Sequence, residues 1–249
     1  MPGGNRVNTR HIAPSPRAGF TQHVDDPGRR PAGLGKVRQA ATLPKGTPLD
    51  KTPDNPPSPT GRRAVFLDRD DTLIPDIPYL GDPEKVTLLP GAREALIRLQ
   101  QAGFLLVLVS NQSGIARGLI SHEQVRAVND EVARQLLPAR LNAVYYSPDG
   151  PHGHSETRKP APGLLLQAAR DHGIDLAQSF MVGDKASDVA CAHNAGCRAV
   201  RIAAAPPPAD DPTADFVATD IASAADWILR VAAGGPSPTT TSFGQTPRD

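Results

Sequence analysis

Cysteine is nearly absent: Cys191 and Cys197 are the two in 249 residues, too few for a disulfide framework or a cysteine-rich zinc site, and both are expected to be buried thiols. Long apolar runs are missing as well. No stretch approaches the ~20 residues of a membrane span, and none near Met1 has the apolar core of a secretory signal. The expectation is a soluble, cytoplasmic protein with no membrane partner. An excess of charge of one sign is also lacking, since the formal net charge is +1. That near-neutrality hides an uneven split. Residues 1–62 carry 10 basic and 4 acidic side chains, and the remainder 17 and 22. The bulk of the chain is mildly acidic, which argues against nucleic acid held by charge alone.

Proline and glycine are abundant, at 27 and 22 residues, and 11 of the prolines precede Arg63. Residues 1–62 have neither helical nor strand periodicity and are expected to form a disordered, basic, Pro-rich arm. Residues 234–249, which include Pro236 and Thr239-Thr240-Thr241, are expected to be a second disordered tail. One domain is assigned to residues 63–233.

Within that domain apolar runs alternate with amphipathic segments. Short, continuously apolar strands are expected at Ala64–Leu67, Phe104–Val109, Val144–Tyr146, Phe180–Val182 and Ala199–Ile202, as in a sheet covered on both faces. Apolar residues at helical spacing (Ala92, Ala95, Leu96, Leu99, then Val125, Val128, Val132, Leu136) separate them, and Ser121 with Gln124 reads as a capping box. Further helices are expected at Pro162–His172, Ser187–Ala195 and Ile221–Val231. The fold class is α/β, a three-layer sandwich with a parallel, Rossmann-like sheet.

Ligands of such sheets bind beyond the carboxyl ends of the strands. The residues there are Asp68-Arg69-Asp70-Asp71-Thr72, Ser110-Asn111-Gln112-Ser113 and Gly183-Asp184-Lys185-Ala186-Ser187-Asp188, with Arg158-Lys159-Pro160 before the next helix. Asp68, Asp70, Asp184 and Asp188 would converge at one sheet edge. Two like charges ~4 Å apart cost on the order of 4 kcal/mol at an effective dielectric near 20, more than Lys159 alone offsets. An oxygen-only set favours a hard divalent cation, magnesium rather than zinc. Phosphoryl transfer accounts for the rest: Ser110 and Lys159 suit the equatorial oxygens. An aspartate can attack phosphorus, and a second one two residues on can carry the proton.

These four motifs, Asp68-x-Asp70-x-Thr72, Ser110, Lys159 and Gly183-Asp184-x-x-x-Asp188, resemble the haloacid dehalogenase (HAD) superfamily of phosphatases. The stretches Phe66-Leu67-Asp68-Arg69-Asp70, Ser110-Asn111-Gln112-Ser113-Gly114-Ile115-Ala116-Arg117-Gly118 and Met181-Val182-Gly183-Asp184-Lys185 resemble its branch of heptose 1,7-bisphosphate and histidinol phosphatases. The resemblance covers about residues 63–203. It implies a HAD-like fold, Asp68 as nucleophile through an aspartyl-phosphate, Asp70 as acid and base, and Ser110 and Lys159 holding the phosphoryl group. Magnesium would be held by Asp68, Asp184 and the main-chain carbonyl of Asp70. Substrate contacts would come from Asp76, Ile77, Pro78, Tyr79, Asn111, Gln112, Ser113, Arg158 and Lys185. Arg158 is the expected partner of a second anionic group, because a guanidinium fork suits phosphate oxygens.

Two departures stand out. The heptose branch usually carries a zinc loop of three cysteines and one histidine before the Arg-Lys-Pro motif. Here the stretch Ser147–Thr157 has no cysteine, and zinc is not expected. Asp71 occupies a position where the family commonly has glycine, and an aspartate tolerates such backbone angles at modest cost. The short spacings from Asp68 to Ser110 and from Ser110 to Lys159 leave no room for a large cap domain, so the site is expected to be open. The reading is a monomeric enzyme acting on a small phosphorylated substrate, a sugar phosphate such as heptose 1,7-bisphosphate cleaved at the 7-phosphate. Alternatives are histidinol-phosphate hydrolysis, a polynucleotide phosphatase, and a non-catalytic scaffold presenting the Pro-rich arm.

Overall fold

The computed structural model describes residues 61–205, 207–208 and 211–235. The basic arm up to residue 60 and the tail from residue 236 lie outside the described residues. At the domain edges, Arg62 already bridges to Ile174, and the Gly235 N–H donates to the Arg230 carbonyl at 3.0 Å.

Six strands form one sheet: β1 (Ala64–Leu67), β2 (Leu105–Asn111), β3 (Ala143–Ser147), β4 (Phe180–Gly183), β5 (Arg198–Ile202) and β6 (Phe216–Ala218). Their order is β3-β2-β1-β4-β5-β6 and every neighbouring pair is parallel. The helices are α1 (Ala92–Gln101), α2 (His122–Gln135), α3 (Gly163–His172), α4 (Ala186–Ala195) and α5 (Ile221–Ala232). Side chains alternate across a strand, and β1 divides accordingly. Val65 and Leu67 join Leu96 and Leu99 of α1, Val128 and Val132 of α2, and Trp227 and Ile228 of α5. Ala64 and Phe66 join Leu164 and Leu165 of α3 and Val189 and Ala192 of α4. This is the expected three-layer sandwich.

The sequence reading places the first five strands and misses β6, whose Phe216 and Val217 are half-buried. β6 is held from the side instead: Phe216 stacks on Trp227 with centroids 5.2 Å apart and planes 5° from parallel. The capping box forms, with the Gln124 N–H donating to Ser121 Oγ and the Ser121 N–H to Gln124 Oε1. Cys191 and Cys197 are free and buried, and burial pushes both thiols up to about 12. No helix among the described residues is long and apolar enough to cross a membrane.

The chain steps outward from β1 through β2 to β3, then returns to place β4 on the other side of β1. The two loops that leave β1 and β4 therefore diverge at the centre of the sheet, opening a crevice at their carboxyl ends. Asp71 lies in the first of these loops with φ 53°. Its Oδ1 accepts from the Asp76 N–H at 2.8 Å, a local bond of the kind that lets aspartate occupy the left-handed region.

Candidate active site

Asp68 follows directly on β1, and its N–H donates to the Val182 carbonyl of β4, so the backbone that carries it is part of the sheet edge. Its side chain is buried. Lys159 reaches across from the segment before α3 and donates to Asp68 Oδ1 at 2.6 Å and to the Val109 carbonyl at 2.8 Å. Asp188, in the first turn of α4, makes an ion pair with the same ammonium at 2.6 Å and accepts from the Lys185 N–H through Oδ2. Burial by itself lowers the Lys159 amine, but Asp188 and Asp68 outweigh it and hold the group above its ordinary value.

Asp184 completes the cluster. Carboxylate oxygens of Asp68, Asp184 and Asp188 lie within 4.8 Å of one another. Burial, with Asp68 and Asp188 adding to it against Lys185, pushes Asp184 up to about 7, and burial raises Asp188 as well despite Lys159. The buried Oδ1 of Asp184 has no hydrogen-bond partner among the described residues. Three crowded carboxylates, an orphaned buried oxygen and no sulfur or imidazole suit a hard divalent cation. The sequence reading placed Asp188 among the converging carboxylates but gave it no task; its side chain ties Lys159 to the start of α4.

Asp70 is positioned differently from the other carboxylates. Its side chain is gripped by Arg69, with Nε donating to Oδ1 at 3.0 Å and an Nη2 hydrogen to Oδ2 at 3.1 Å. Arg69 is itself buried and bonded to Asn129 and Gln112. Gln112 is buried too, and its amide donates to Asp70 Oδ2 at 3.2 Å and to Ser110 Oγ at 3.1 Å. Burial raises the Asp70 carboxyl above its ordinary value, with Arg69 pulling against it. The sequence assigns Arg69 no role, because an arginine between two aspartates carries no pattern that distinguishes a buried clamp from a solvated side chain.

The expected substrate residues divide into two groups. Asn111 and Gln112 face inward: Asn111 Oδ1 accepts from the Lys159 N–H at 3.0 Å and its amide donates to the Lys159 carbonyl at 3.1 Å. Both amides thus hold the catalytic candidates in place. Asp76, Ile77, Pro78 and Tyr79 are exposed, Ser113 is half-buried in the turn after β2, and Lys185 bridges Asp76 at 3.5 Å and Asp184 at 3.8 Å. Tyr79 is held with φ 54° and accepts from Arg117 at 2.8 Å. Arg158 is half-buried; burial and the nearby Arg117 depress its guanidinium, against the opposing pull of Asp149.

The Ser147–Thr157 stretch does not fit zinc. Of its two carboxylates, Asp149 is surrounded by hydroxyls and Glu156 is exposed, as are His152 and His154, while Cys191 and Cys197 belong to α4 and the turn after it.

Gly183 ends β4 where a Cβ would overlap the carboxyl carbon and Oδ2 of Asp188. That carboxylate cannot swing away without releasing Lys159 and the Lys185 N–H. Gly183→Ala is therefore expected to cost about 1–3 kcal/mol in urea unfolding and to lower turnover with it. A variant within about 0.5 kcal/mol of the parent, the usual range for neutral changes, would show that the contact relaxes freely.

Comparison with known proteins identifies relatives of the chain. A family model described as HAD-hydrolase-like matches residues 156–224. The chain is 38% identical over 190 residues to a D-glycero-D-manno-heptose-1,7-bisphosphate 7-phosphatase of Thermosynechococcus vestitus, covering 67% of this chain and 95% of that one. It is 42% identical over 147 residues to a D-glycero-beta-D-manno-heptose-1,7-bisphosphate 7-phosphatase of Haemophilus ducreyi, covering 55% and 81%. The crystal structure of the D,D-heptose 1,7-bisphosphate phosphatase of B. bronchiseptica, complexed with magnesium and phosphate, superposes with a TM-score of 0.60 at 32% identity, covering 68% of this chain and 99% of that one.

Proposed function

Because the chain belongs to the HAD-like hydrolases, in the family of the heptose 1,7-bisphosphate 7-phosphatases, we propose that it is a magnesium-dependent phosphomonoesterase that removes the 7-phosphate of D-glycero-D-manno-heptose 1,7-bisphosphate. The observation that carries the reading is the triad of Asp68, Lys159 and Asp188, joined by two contacts of 2.6 Å at the sheet edge beside Asp184.

Asp68 is the nucleophile. Its Oδ1 is held by Lys159, which leaves Oδ2 to attack phosphorus, forming the aspartyl-phosphate as the P–O bond to the sugar breaks. Asp70 in its protonated form delivers the proton to the departing sugar oxygen. As a carboxylate it then takes a proton from water, which attacks the same phosphorus and frees Asp68. Arg69 and Gln112 fix its rotamer through both steps. Ser110 holds an equatorial phosphoryl oxygen through its hydroxyl, and the Lys159 ammonium, whose three hydrogens go to Asp68, Asp188 and the Val109 carbonyl, supplies positive charge beside it. Magnesium would be held by Asp68, Asp184 and the Asp70 carbonyl, with Asp188 alongside, and when bound it supplies positive charge against the carboxylates and the phosphoryl oxygens. Arg158 receives the second phosphate at the open rim, with Arg117 near it.

The test is phosphate release from both anomers of heptose 1,7-bisphosphate, histidinol phosphate and a 3′-phosphorylated oligonucleotide. Preference for a heptose bisphosphate is expected, with activity lost in EDTA and restored by magnesium. Preference for histidinol phosphate or the oligonucleotide would overturn the substrate, and full activity in EDTA would overturn the metal.

A further inference from the structure

The loop between β3 and Lys159 is organised around a single oxygen. Asp149 Oδ2 accepts from Ser155 Oγ at 2.6 Å and from Thr157 Oγ1 at 3.1 Å, with Ser147 Oγ 3.4 Å away. Ser147 Oγ also lies 3.0 Å from Thr157 Oγ1, so its single hydrogen serves either Thr157 or Asp149. Ser147 is the fully buried last residue of β3, so the knot is anchored in the sheet. Residues 151–154 are exposed and contribute none of these bonds. Two contacts pass from the knot to Arg158: the Asp149 carbonyl accepts from its guanidinium Nη1 at 3.1 Å, and Ser155 Oγ accepts from its N–H at 2.9 Å.

We propose that Asp149 is a positioning residue that aims Arg158 at the second anionic group of the substrate, through a metal-free knot of one carboxylate and three hydroxyls. The physical reason is convergence. Ser155 and Thr157 at the far end of the loop need an acceptor at its near end, and the side-chain oxygen of Asp149 has lone pairs for both. Without it the loop ends separate, and Arg158 loses both its main-chain and its side-chain anchor. The set of ligands, with one carboxylate and no thiolate or imidazole, is unsuited to zinc, so the hydrogen bonds must do the cross-linking themselves. The proposal rests on the reading of Arg158 given above.

The experiment compares Asp149→Ala, Asp149→Asn, Arg158→Ala and the double variant Asp149→Ala/Arg158→Ala. KM and kcat are measured with heptose 1,7-bisphosphate and with p-nitrophenyl phosphate, which has no second anionic group. The rate at which phenylglyoxal modifies Arg158 is followed by peptide mass spectrometry. Asp149→Ala is expected to raise KM for the bisphosphate about tenfold, the scale of one charge-assisted hydrogen bond, with little change in kcat or in KM for p-nitrophenyl phosphate. Asp149→Asn keeps an acceptor oxygen in place and should recover most of that loss. The double variant should be no worse than Arg158→Ala, because positioning a missing arginine has no value. Arg158 should react about tenfold faster in Asp149→Ala, on the same energetic scale. An unchanged KM and an unchanged modification rate would overturn the proposal, as would equal losses on both substrates or additive effects in the double variant. Failure of the substrate reading looks different: the parent would not turn over the bisphosphate, and the modification rate would then decide the role of Asp149 alone.

Discussion

Asp68→Asn is expected to leave a folded protein whose turnover has fallen by more than about 10⁴-fold, the scale of losing a covalent nucleophile. The substitution is isosteric. An amide oxygen can still accept the Lys159 hydrogen bond that Asp68 Oδ1 accepts at 2.6 Å, so the side chain stays in place. What is lost is the charge and the second anionic oxygen that attacks phosphorus. The charge loss has a consequence for stability that separates this variant from a misfolded one. Asp68, Asp184 and Asp188 crowd within 4.8 Å, and Asp68 is among the groups that push Asp184 up. Removing one of the three negative charges relieves that crowding, so without magnesium the melting temperature should equal or exceed that of the parent. Phosphate release and a thermal melt on the same sample check both halves. Activity within tenfold of the parent would remove Asp68 as nucleophile, and a melting temperature several degrees lower would mean that its charge supports the fold.

How much of this was legible in the sequence depends on what kind of physics placed each residue. The strands β1 and β4 were readable because a four-residue run buried on both faces has no polar position to confuse it. The polar residues after them stood out for the same reason, which is why Asp68 and Asp184 could be named. β6 was not readable: three residues with two half-buried are no pattern, and its place follows from the Phe216–Trp227 stack, a contact between residues that no local rule links. Side-chain direction was equally hidden. The resemblance implies that Asn111 and Gln112 contact substrate; it does not reveal that their amides also bond Lys159, Asp70 and Ser110. Such orientation is decided by which buried polar groups need partners, and that is known only once the strands are laid side by side. The Asp149 knot belongs to the same class. Its four members span eleven positions of a loop with no periodicity.

Lys159→Met tests the other half of the site, and here loss of stability and loss of turnover are expected together. The ammonium is buried and is shared by Asp68, Asp188 and the Val109 carbonyl. Met has a similar length and fills the same volume, so the variant isolates the charge from the packing. Two buried carboxylates then face each other with Asp184 beside them and no cation between. Breaking a buried pair by removing one partner typically costs about 3–5 kcal/mol, a large share of the roughly 5–15 kcal/mol that holds a domain together. Urea unfolding without magnesium should register that loss. Added magnesium should recover part of it by supplying positive charge to the same carboxylates, and by more than it stabilises the parent. Turnover should stay lost in magnesium, because the hydrogen bond to Asp68 Oδ1 and the positive charge beside the phosphoryl group are gone. A second substitution separates the two effects: Lys159→Met/Asp188→Asn removes one of the stranded charges, so it should be more stable than Lys159→Met alone and no more active. If the double variant is no more stable than the single one, the Lys159–Asp188 contact does not carry the energetic role assigned to it. If Lys159→Met keeps turnover within tenfold of the parent, the ammonium is a structural cation and the phosphoryl group is held by other residues.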